Sequence, residues 1–147
     1  MSRKTAREVA FKLIFENCFH KPDEGVTYEE FLSNFYIPEE MPKDSIFFEL
    51  KDKLDNNDIN YIKEVYVGVI EHNLEILKII SENLVGYTAE RLYKVDFAIL
   101  IYSIYELTYS DTPSKVVVNE AVELAKKYSD DKSPAFINGV LAKVINK

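Results

Sequence analysis

Few residues of this 147-residue chain are of the types that carry out catalysis or hold metals. Cys18 is the only cysteine, and the two histidines, His20 and His72, lie far apart in the sequence. These residues offer neither zinc-ligand spacing nor an internal disulfide, and no nucleophile or phosphate-loop motif occurs. Acidic pairs such as Glu120 and Glu123 are one helical turn apart, but such pairs usually lie on solvated helix faces. We therefore predict that the chain is not an enzyme and needs no metal or cofactor.

The basic residues are concentrated at the two ends of the chain. The net charge is −7, yet residues 1–12 carry four basic residues and one acidic residue, and residues 112–147 carry six and four. Ten tyrosines and nine phenylalanines supply rings for a core or for stacking. If the fold brings both ends together, a local basic face able to bind nucleic acid exists despite the overall charge. The alternative is that both basic ends are merely solvated.

The overall composition is that of one globular domain. Apolar residues make up 47 % of the chain, and a chain of this size buries roughly 68–70 % of the surface it exposes when unfolded. The N-terminal residues contain no apolar signal core. No run of 18 apolar residues occurs, so no membrane-spanning helix is predicted. We expect a cytoplasmic protein.

The spacing of apolar residues predicts an all-α fold. A helix should begin at Ser2 or Thr5, and a short one should cover residues 27–36; residues 44–54 are less clear. A long helix capped by Asn57 or Asp58 should break near His72-Asn73 and stop at Gly86. The last three predicted helices cover residues 95–109, residues 115–128 after a cap at Ser114, and residues 134–145 after a cap at Ser133. The first of them is apolar nearly all round.

The start of the last predicted helix is the best candidate for a binding site. Ser133 and Pro134 form a strong start signal, a capping hydroxyl followed by proline. The first backbone N–H groups of a helix lack partners, so this point is predicted to seat a phosphate beside Lys132. Phe136 lies one turn along, where its ring could stack on an unpaired base. Gly139, inside the same helix, is predicted to permit close packing.

The C-terminal part of the chain resembles the NusB family of transcription antitermination proteins. The resemblance rests on RLYKVDFAILIYSIYEL at residues 91–107, KVVVNEAVELAK at residues 115–126 and KSPAFINGVL at residues 132–141, with Ala6-Arg7-Glu8 near the start. It implies one NusB-like domain over residues 1–147, folded as an all-α bundle of about seven helices in two subdomains. It also implies binding of boxA-type single-stranded RNA with the ribosomal protein NusE. The complex would join RNA polymerase and other Nus factors and suppress termination, notably in ribosomal RNA operons.

The resemblance also assigns residues to two surfaces. The implied RNA-binding residues are Arg3, Lys4, Arg7, Lys132, Ser133 and Phe136. The implied contacts to a protein partner are Phe15, Asp96 and Glu106. The chain departs from the family at Phe97 and Ile101, which replace frequent arginines. If these two are exposed, they would form an apolar patch suited to a protein partner or a homodimer.

Two other functions remain open on the sequence. A NusB-like domain also occurs at the N-terminus of certain ribosomal RNA cytosine methyltransferases. This chain ends at Lys147, without room for a cofactor-binding domain. The acidic middle of the chain would also suit a protein–protein adaptor that docks a basic partner.

Overall fold

The fold is all-helical over the residues that the structure describes. The computed structural model describes residues 3–19, 55–86 and 92–146, and these ranges contain helices and no strand. The predicted helices at residues 27–36 and 44–54 lie outside them. None of the described helices has the length and hydropathy needed to cross a membrane. In chain order the described helices are α1 (Arg3–Phe19), α2 (Asn56–Glu71), α3 (Asn73–Glu82), α4 (Lys94–Tyr109), α5 (Ser114–Tyr128) and α6 (Ser133–Ile145).

The chain divides into two compact units, Met1–Val67 and Gly68–Lys147. The boundary falls within α2. In the first unit, α1 buries the apolar stripe that the sequence predicts, formed by Ala6, Val9, Ala10, Leu13 and Ile14. Phe11 of the same helix is also buried. The two units agree with the two subdomains that the family resemblance implies.

The second unit is built around α4. This helix packs against α3, α5 and α6, and α5 and α6 pack against each other. Nine consecutive α4 residues, Ala98 to Glu106, are buried, as the apolar run predicts for a central helix. Within this helix the Ser103 hydroxyl donates to the Ile99 carbonyl oxygen at 2.7 Å, so a polar side chain is accommodated in the core. Helix α4 therefore provides the rigid support on which the neighbouring helix ends are held.

The start of α2 is set by a reciprocal cap. The backbone N–H of Asp58 donates to Asp55 Oδ1 at 2.8 Å, and the backbone N–H of Asp55 donates to Asp58 Oδ2 at 3.3 Å. This is the capping-box arrangement with aspartates in both places. The predicted cap at Asn57 or Asp58 was therefore wrong by two or three residues.

The turn at His72 separates α2 from α3, which confirms the break that the sequence predicts there. Helix α3 ends at Glu82, with Asn83 as its C-cap. Gly86 lies beyond the helix with a φ angle of +88°. The prediction that Gly86 directly stops the helix was wrong, because Asn83 already closes it with a hydrogen bond from its backbone N–H to the Ile80 carbonyl oxygen.

Candidate functional site

The start of α6 is capped by Asp130. Its Oδ1 atom accepts hydrogen bonds from the backbone N–H groups of Lys132, at 2.9 Å, and Ser133, at 3.0 Å. Asp130 precedes the helix in the sequence and supplies the carboxylate that helix N-termini favour. The sequence assigned this capping role to Ser133 and left the N–H groups for a phosphate. The capping prediction was wrong, because Asp130 accepts the hydrogen bonds of these two N–H groups. The predicted phosphate contact at this helix start stays a prediction.

A buried hydrogen-bond cluster ties the beginning of α4 to the beginning of α6. Asp96, in the first turn of α4, is 4 % exposed, and Ser133 is 2 % exposed. The Ser133 hydroxyl lies 3.0 Å from Asp96 Oδ2, and the Ser129 hydroxyl donates to Asp96 Oδ1 at 2.7 Å. Buried polar groups are retained when they find such partners. The cluster therefore fixes the two helix starts and the end of α5 relative to one another.

A cavity of about 380 Å³ opens beside this cluster. Its walls combine apolar, aromatic and charged side chains, namely Leu92, Tyr93, Asp96, Asp130, Lys132, Ser133 and Phe136. We call it the helix-start cavity. Three of these residues, Lys132, Ser133 and Phe136, are the ones that the sequence assigned to RNA binding near the last helix. A cavity with a few convergent polar groups among apolar ones is the usual form of a ligand site.

Lys132 and Phe136 present their side chains at this cavity, whereas Ser133 does so only in part. Lys132 is exposed and Phe136 is half-buried. The backbone N–H of Phe136 bonds to the Lys132 carbonyl oxygen at 3.2 Å, so the ring belongs to the first helical turn. The buried Ser133 hydroxyl is engaged with Asp96 and Asp130. These bonds position the start of α6, and the predicted contact of Ser133 to RNA stays a prediction.

Tyr93 is a cavity residue that sequence reasoning missed. It is the N-cap of α4, its backbone is extended, and its side chain is 67 % exposed. The sequence contains one usable signal, since Tyr93 lies three residues before Asp96 and therefore one turn away along α4. Tyr93 lies near α6 because Asp96 and Ser133 are in contact, and no local sequence pattern predicts that contact.

The N-terminal basic residues lie on α1, in the first unit. Arg3 is the first residue of the helix, Lys4 is exposed and Arg7 is half-buried. The cavity residues belong to the second unit. The predicted meeting of the two basic ends therefore stays a prediction.

The residues assigned to a protein partner differ in their surroundings. Phe15 is half-buried, with its ring centroid 6.3 Å from that of Phe11. Asp96 and Glu106 are each only 4 % exposed. Glu106 Oε2 accepts a hydrogen bond from the Thr112 hydroxyl at 2.7 Å. Both carboxylates accept hydrogen bonds inside the chain, and the predicted partner contacts of Phe15, Asp96 and Glu106 stay predictions.

The apolar patch expected at Phe97 and Ile101 is not formed as predicted. Ile101 is 6 % exposed and belongs to the core, while Phe97 is half-buried. The isoleucine that replaces a frequent arginine of the family therefore fills the buried side of α4. Its burial removes this argument for a homodimer.

The described residues form a small helical protein with a cavity at the start of its last helix. A scan against protein families matches residues 4–146 to the NusB family. The chain therefore belongs to the NusB family, whose curated relatives are transcription antitermination proteins. This assignment confirms the family resemblance, and it also confirms the expectation of a non-enzymatic factor.

Two curated relatives illustrate the similarity. The chain is 42 % identical over 146 residues to the transcription antitermination protein NusB of Clostridium novyi (strain NT), covering 99 % of this chain and 98 % of the relative. It is 43 % identical over 151 residues to the protein of the same name from Clostridium botulinum (strain Hall), covering 99 % and 100 %.

Solved structures of NusB proteins share the fold. T. maritima NusB matches with a TM-score of 0.78 at 26 % identity, covering 100 % of this chain and 92 % of that chain. A structure of the antitermination factors NusB and NusE in complex with double-stranded RNA matches with a TM-score of 0.75 at 26 % identity, covering 98 % and 96 %.

Proposed function

We propose that this chain binds boxA-type single-stranded RNA together with the ribosomal protein NusE. As part of that complex it helps RNA polymerase, with other Nus factors, to read through terminators, notably in ribosomal RNA operons. The role belongs to the cytoplasm, where transcription takes place in bacteria. The observation that carries the proposal is the helix-start cavity, where Lys132 and Phe136 lie together in a chain of the NusB family.

The chemistry of the cavity suits single-stranded RNA. Lys132 is exposed and makes no ion pair among the described residues, so its ammonium group is available to a phosphate. Phe136 offers an aromatic ring in the first turn of α6, and RNA readers stack unpaired bases on such rings. On α1, Lys4 adds an exposed positive charge at the other end of the chain. Arg3 and Arg7 extend that basic group.

Two comparisons support the proposal further. The solved NusB structure with NusE and RNA has the fold of this chain. The match to the two clostridial antitermination proteins covers 98 % and 100 % of their lengths. That similarity favours antitermination over the methyltransferase alternative, because these relatives share the whole chain without an added catalytic domain.

Filter binding tests the proposal directly. A boxA oligonucleotide, a scrambled oligonucleotide of the same composition and a boxA duplex are each titrated with the chain, with and without purified NusE. We expect the single-stranded boxA RNA to bind best and NusE to tighten the complex. Equal retention of the scrambled RNA, or no binding in dilute salt with NusE present, would overturn the proposal. Preference for the duplex would reject single-strand recognition.

Phe136→Ala tests the site. Stacking of one base on an aromatic ring contributes roughly 1–3 kcal/mol, so boxA affinity should fall while the chain stays folded. Val85→Ala is the matched control, because Val85 is 72 % exposed and lies outside the cavity. Unchanged affinity for Phe136→Ala would remove this residue from the RNA site.

A further inference from the structure

We propose that Tyr93 and Phe136 form an aromatic clamp that takes one unpaired nucleobase into the helix-start cavity. The proposal rests on the RNA-binding function proposed above and assigns to Tyr93 a role in that function. Both rings line the same cavity, but they come from different helices. One lies at the N-cap of α4 and the other in the first turn of α6.

The hydrogen bond between Asp96 and Ser133 places the two rings at one site. Tyr93 precedes Asp96 by three residues, and Phe136 follows Ser133 by three residues. Residues three apart lie on the same face of a helix, about one turn away from each other. The 3.0 Å contact between Asp96 and Ser133 therefore brings the Tyr93 turn beside the Phe136 turn. Because Asp96 and Ser133 are both buried, the hydrogen bond between them holds the two turns in place.

The Tyr93 side chain is held ready for a ligand by its backbone. The Tyr93 carbonyl oxygen accepts the backbone N–H of Phe97 at 2.9 Å, which fixes the residue to α4. The residue is 67 % exposed. Four large hydrophobic side chains of the described ranges are exposed, and Tyr93 is the one among them that lines the cavity. Tyr93 therefore offers an exposed aromatic ring at this cavity, on which a base can stack.

The polar groups of the cavity favour a base over a phosphate. The Ser133 hydroxyl has one proton, yet it lies 3.0 Å from both Asp96 Oδ2 and Asp130 Oδ1 and 2.7 Å from Ser129 Oγ. A hydroxyl can donate only once, and an ionised carboxylate only accepts. The backbone N–H groups of Lys132 and Ser133 donate to Asp130 Oδ1, and two serine hydroxyls supply the remaining protons. The Asp96 carboxylate therefore keeps the capacity to accept further hydrogen bonds. A phosphate would add further acceptors and negative charge, whereas a nucleobase with amino or ring N–H groups supplies donors.

The size of the cavity is that of a small-ligand site. Its volume of about 380 Å³ is at the small end of the roughly 300–1,000 Å³ that small-molecule sites span. Lys132 is exposed at the rim, where it can meet the phosphate that follows the clamped base. In this proposal the two rings and the carboxylate acceptors bind the base, and Lys132 binds the RNA backbone.

Tyr93 variants and abasic RNA test the clamp together. We expect Tyr93→Ala to weaken binding of single-stranded boxA RNA by roughly 5- to 150-fold, which corresponds to about 1–3 kcal/mol of stacking. Tyr93→Phe keeps the ring and should bind within about twofold of the unaltered chain. Leu74→Ala is the matched control, because Leu74 is 82 % exposed in the same unit but lies outside the cavity. Thermal melts verify that every variant is folded.

An abasic scan of the same RNA identifies the clamped position. At one nucleotide, removal of the base should weaken binding to the unaltered chain and should abolish the difference between that chain and Tyr93→Ala. If Phe136→Ala weakens binding but Tyr93→Ala does not, the clamp is wrong and the proposed function stands. If Tyr93→Ala weakens binding to every abasic RNA equally, a base-specific clamp is also rejected. If the unaltered chain ignores boxA RNA with NusE present, the proposed function falls and the clamp with it.

Discussion

At the scale of single residues, Ser133 connects the stability of the protein with the geometry of its site. Its hydroxyl lies within 3.0 Å of side-chain oxygens from Asp96, Asp130 and Ser129. The residue belongs to the motif that resembles the family, but its burial gives it a structural task. The residues proposed to meet RNA are its neighbours Lys132 and Phe136, which line the same cavity. One buried hydroxyl therefore holds the helix start that carries both of these side chains.

Ser133→Ala should destabilise the protein before it affects any contact to RNA. Removing a buried hydrogen-bonding partner costs about 1–3 kcal/mol, because the groups left behind lose their donor. We expect the midpoint of urea unfolding to fall accordingly. Ser114→Ala is the control, since Ser114 is exposed in the first turn of α5, where Pro113 holds the N-cap position. Full stability combined with lost RNA affinity would instead support a direct Ser133 contact.

Tyr109 is the residue whose titration the structure predicts most clearly. Its hydroxyl donates to Glu75 Oε2, and its ring stacks on His72 with centroids 3.8 Å apart. The hydrogen bond to Glu75, followed by desolvation and the negative charge of Glu75, raises the pKa of Tyr109 from 10.0 to about 12. Because the folded-state pKa is the higher one, the associated stability is fully present below pH 10 and is lost as the pH rises from 10 to 12.

Glu75→Ala should return the pKa of Tyr109 towards 10, because both the acceptor and its charge are removed. The titration can be followed by NMR of ¹³Cζ-labelled tyrosine, with Tyr109→Phe to assign the signal. Glu82→Ala is the control, since Glu82 lies on the same helix but pairs with Lys78 at 3.9 Å. An ordinary Tyr109 titration in the unaltered chain would contradict the predicted hydrogen bond.

At the scale of the helices, two glycines lie in opposite packing environments. A Cβ added to Gly139 would meet nothing within 4 Å, and the residue is exposed. The sequence-based prediction that Gly139 permits close packing within the protein was therefore wrong. Gly68 is the opposite case, because a Cβ there would lie 2.6 Å from Cζ of the Tyr105 ring. The glycine that α2 requires is thus Gly68, where α4 approaches closely.

Gly139→Ala should stabilise the chain by about 0.5–1 kcal/mol, because alanine has the higher helix propensity and the position is open. Gly68→Ala should destabilise it by about 1–3 kcal/mol through overpacking against Tyr105. Equilibrium unfolding in urea measures both. Gly139→Ser is a second check on α6, since serine gains less than alanine in a helix interior. Destabilisation by Gly139→Ala would mean that its open surroundings are misassigned.

The sequence predicts the helices better than the points where they begin. The apolar spacing places α4, α5 and α6 within one residue of their observed bounds, and it finds the break at His72. Their caps are less predictable, because Asp55 and Asp130 each compete with other polar residues nearby for the same role. The site divides in the same way. The motif at residues 132–141 identifies Lys132 and Phe136, whereas Tyr93 enters only through a contact between distant segments.

At the scale of the whole molecule, the charge distribution has to reconcile a net charge of −7 with the binding of an anion. A chain of this sign repels RNA at long range, so binding depends on a few well-placed cations. Lys4 lies in the first unit and Lys132 in the second, and both are exposed. If one RNA strand contacts both ends of the chain, each lysine neutralises its own phosphate. The slope of log affinity against log salt concentration then measures the number of these phosphate contacts.

Removing each lysine should lower the slope of log affinity against log salt concentration by about 0.7, the value for one phosphate contact on a single strand. Lys4→Ala and Lys132→Ala should each do so, and the double variant should lose about 1.4 if the two contacts are independent. Lys115→Ala is the control, because Lys115 is exposed at the start of α5 outside the cavity. A full loss for Lys132→Ala with none for Lys4→Ala would confine the RNA to the second unit. An unchanged slope in Lys4→Ala, Lys132→Ala and the double variant would mean that neither lysine contacts a phosphate of the transcript.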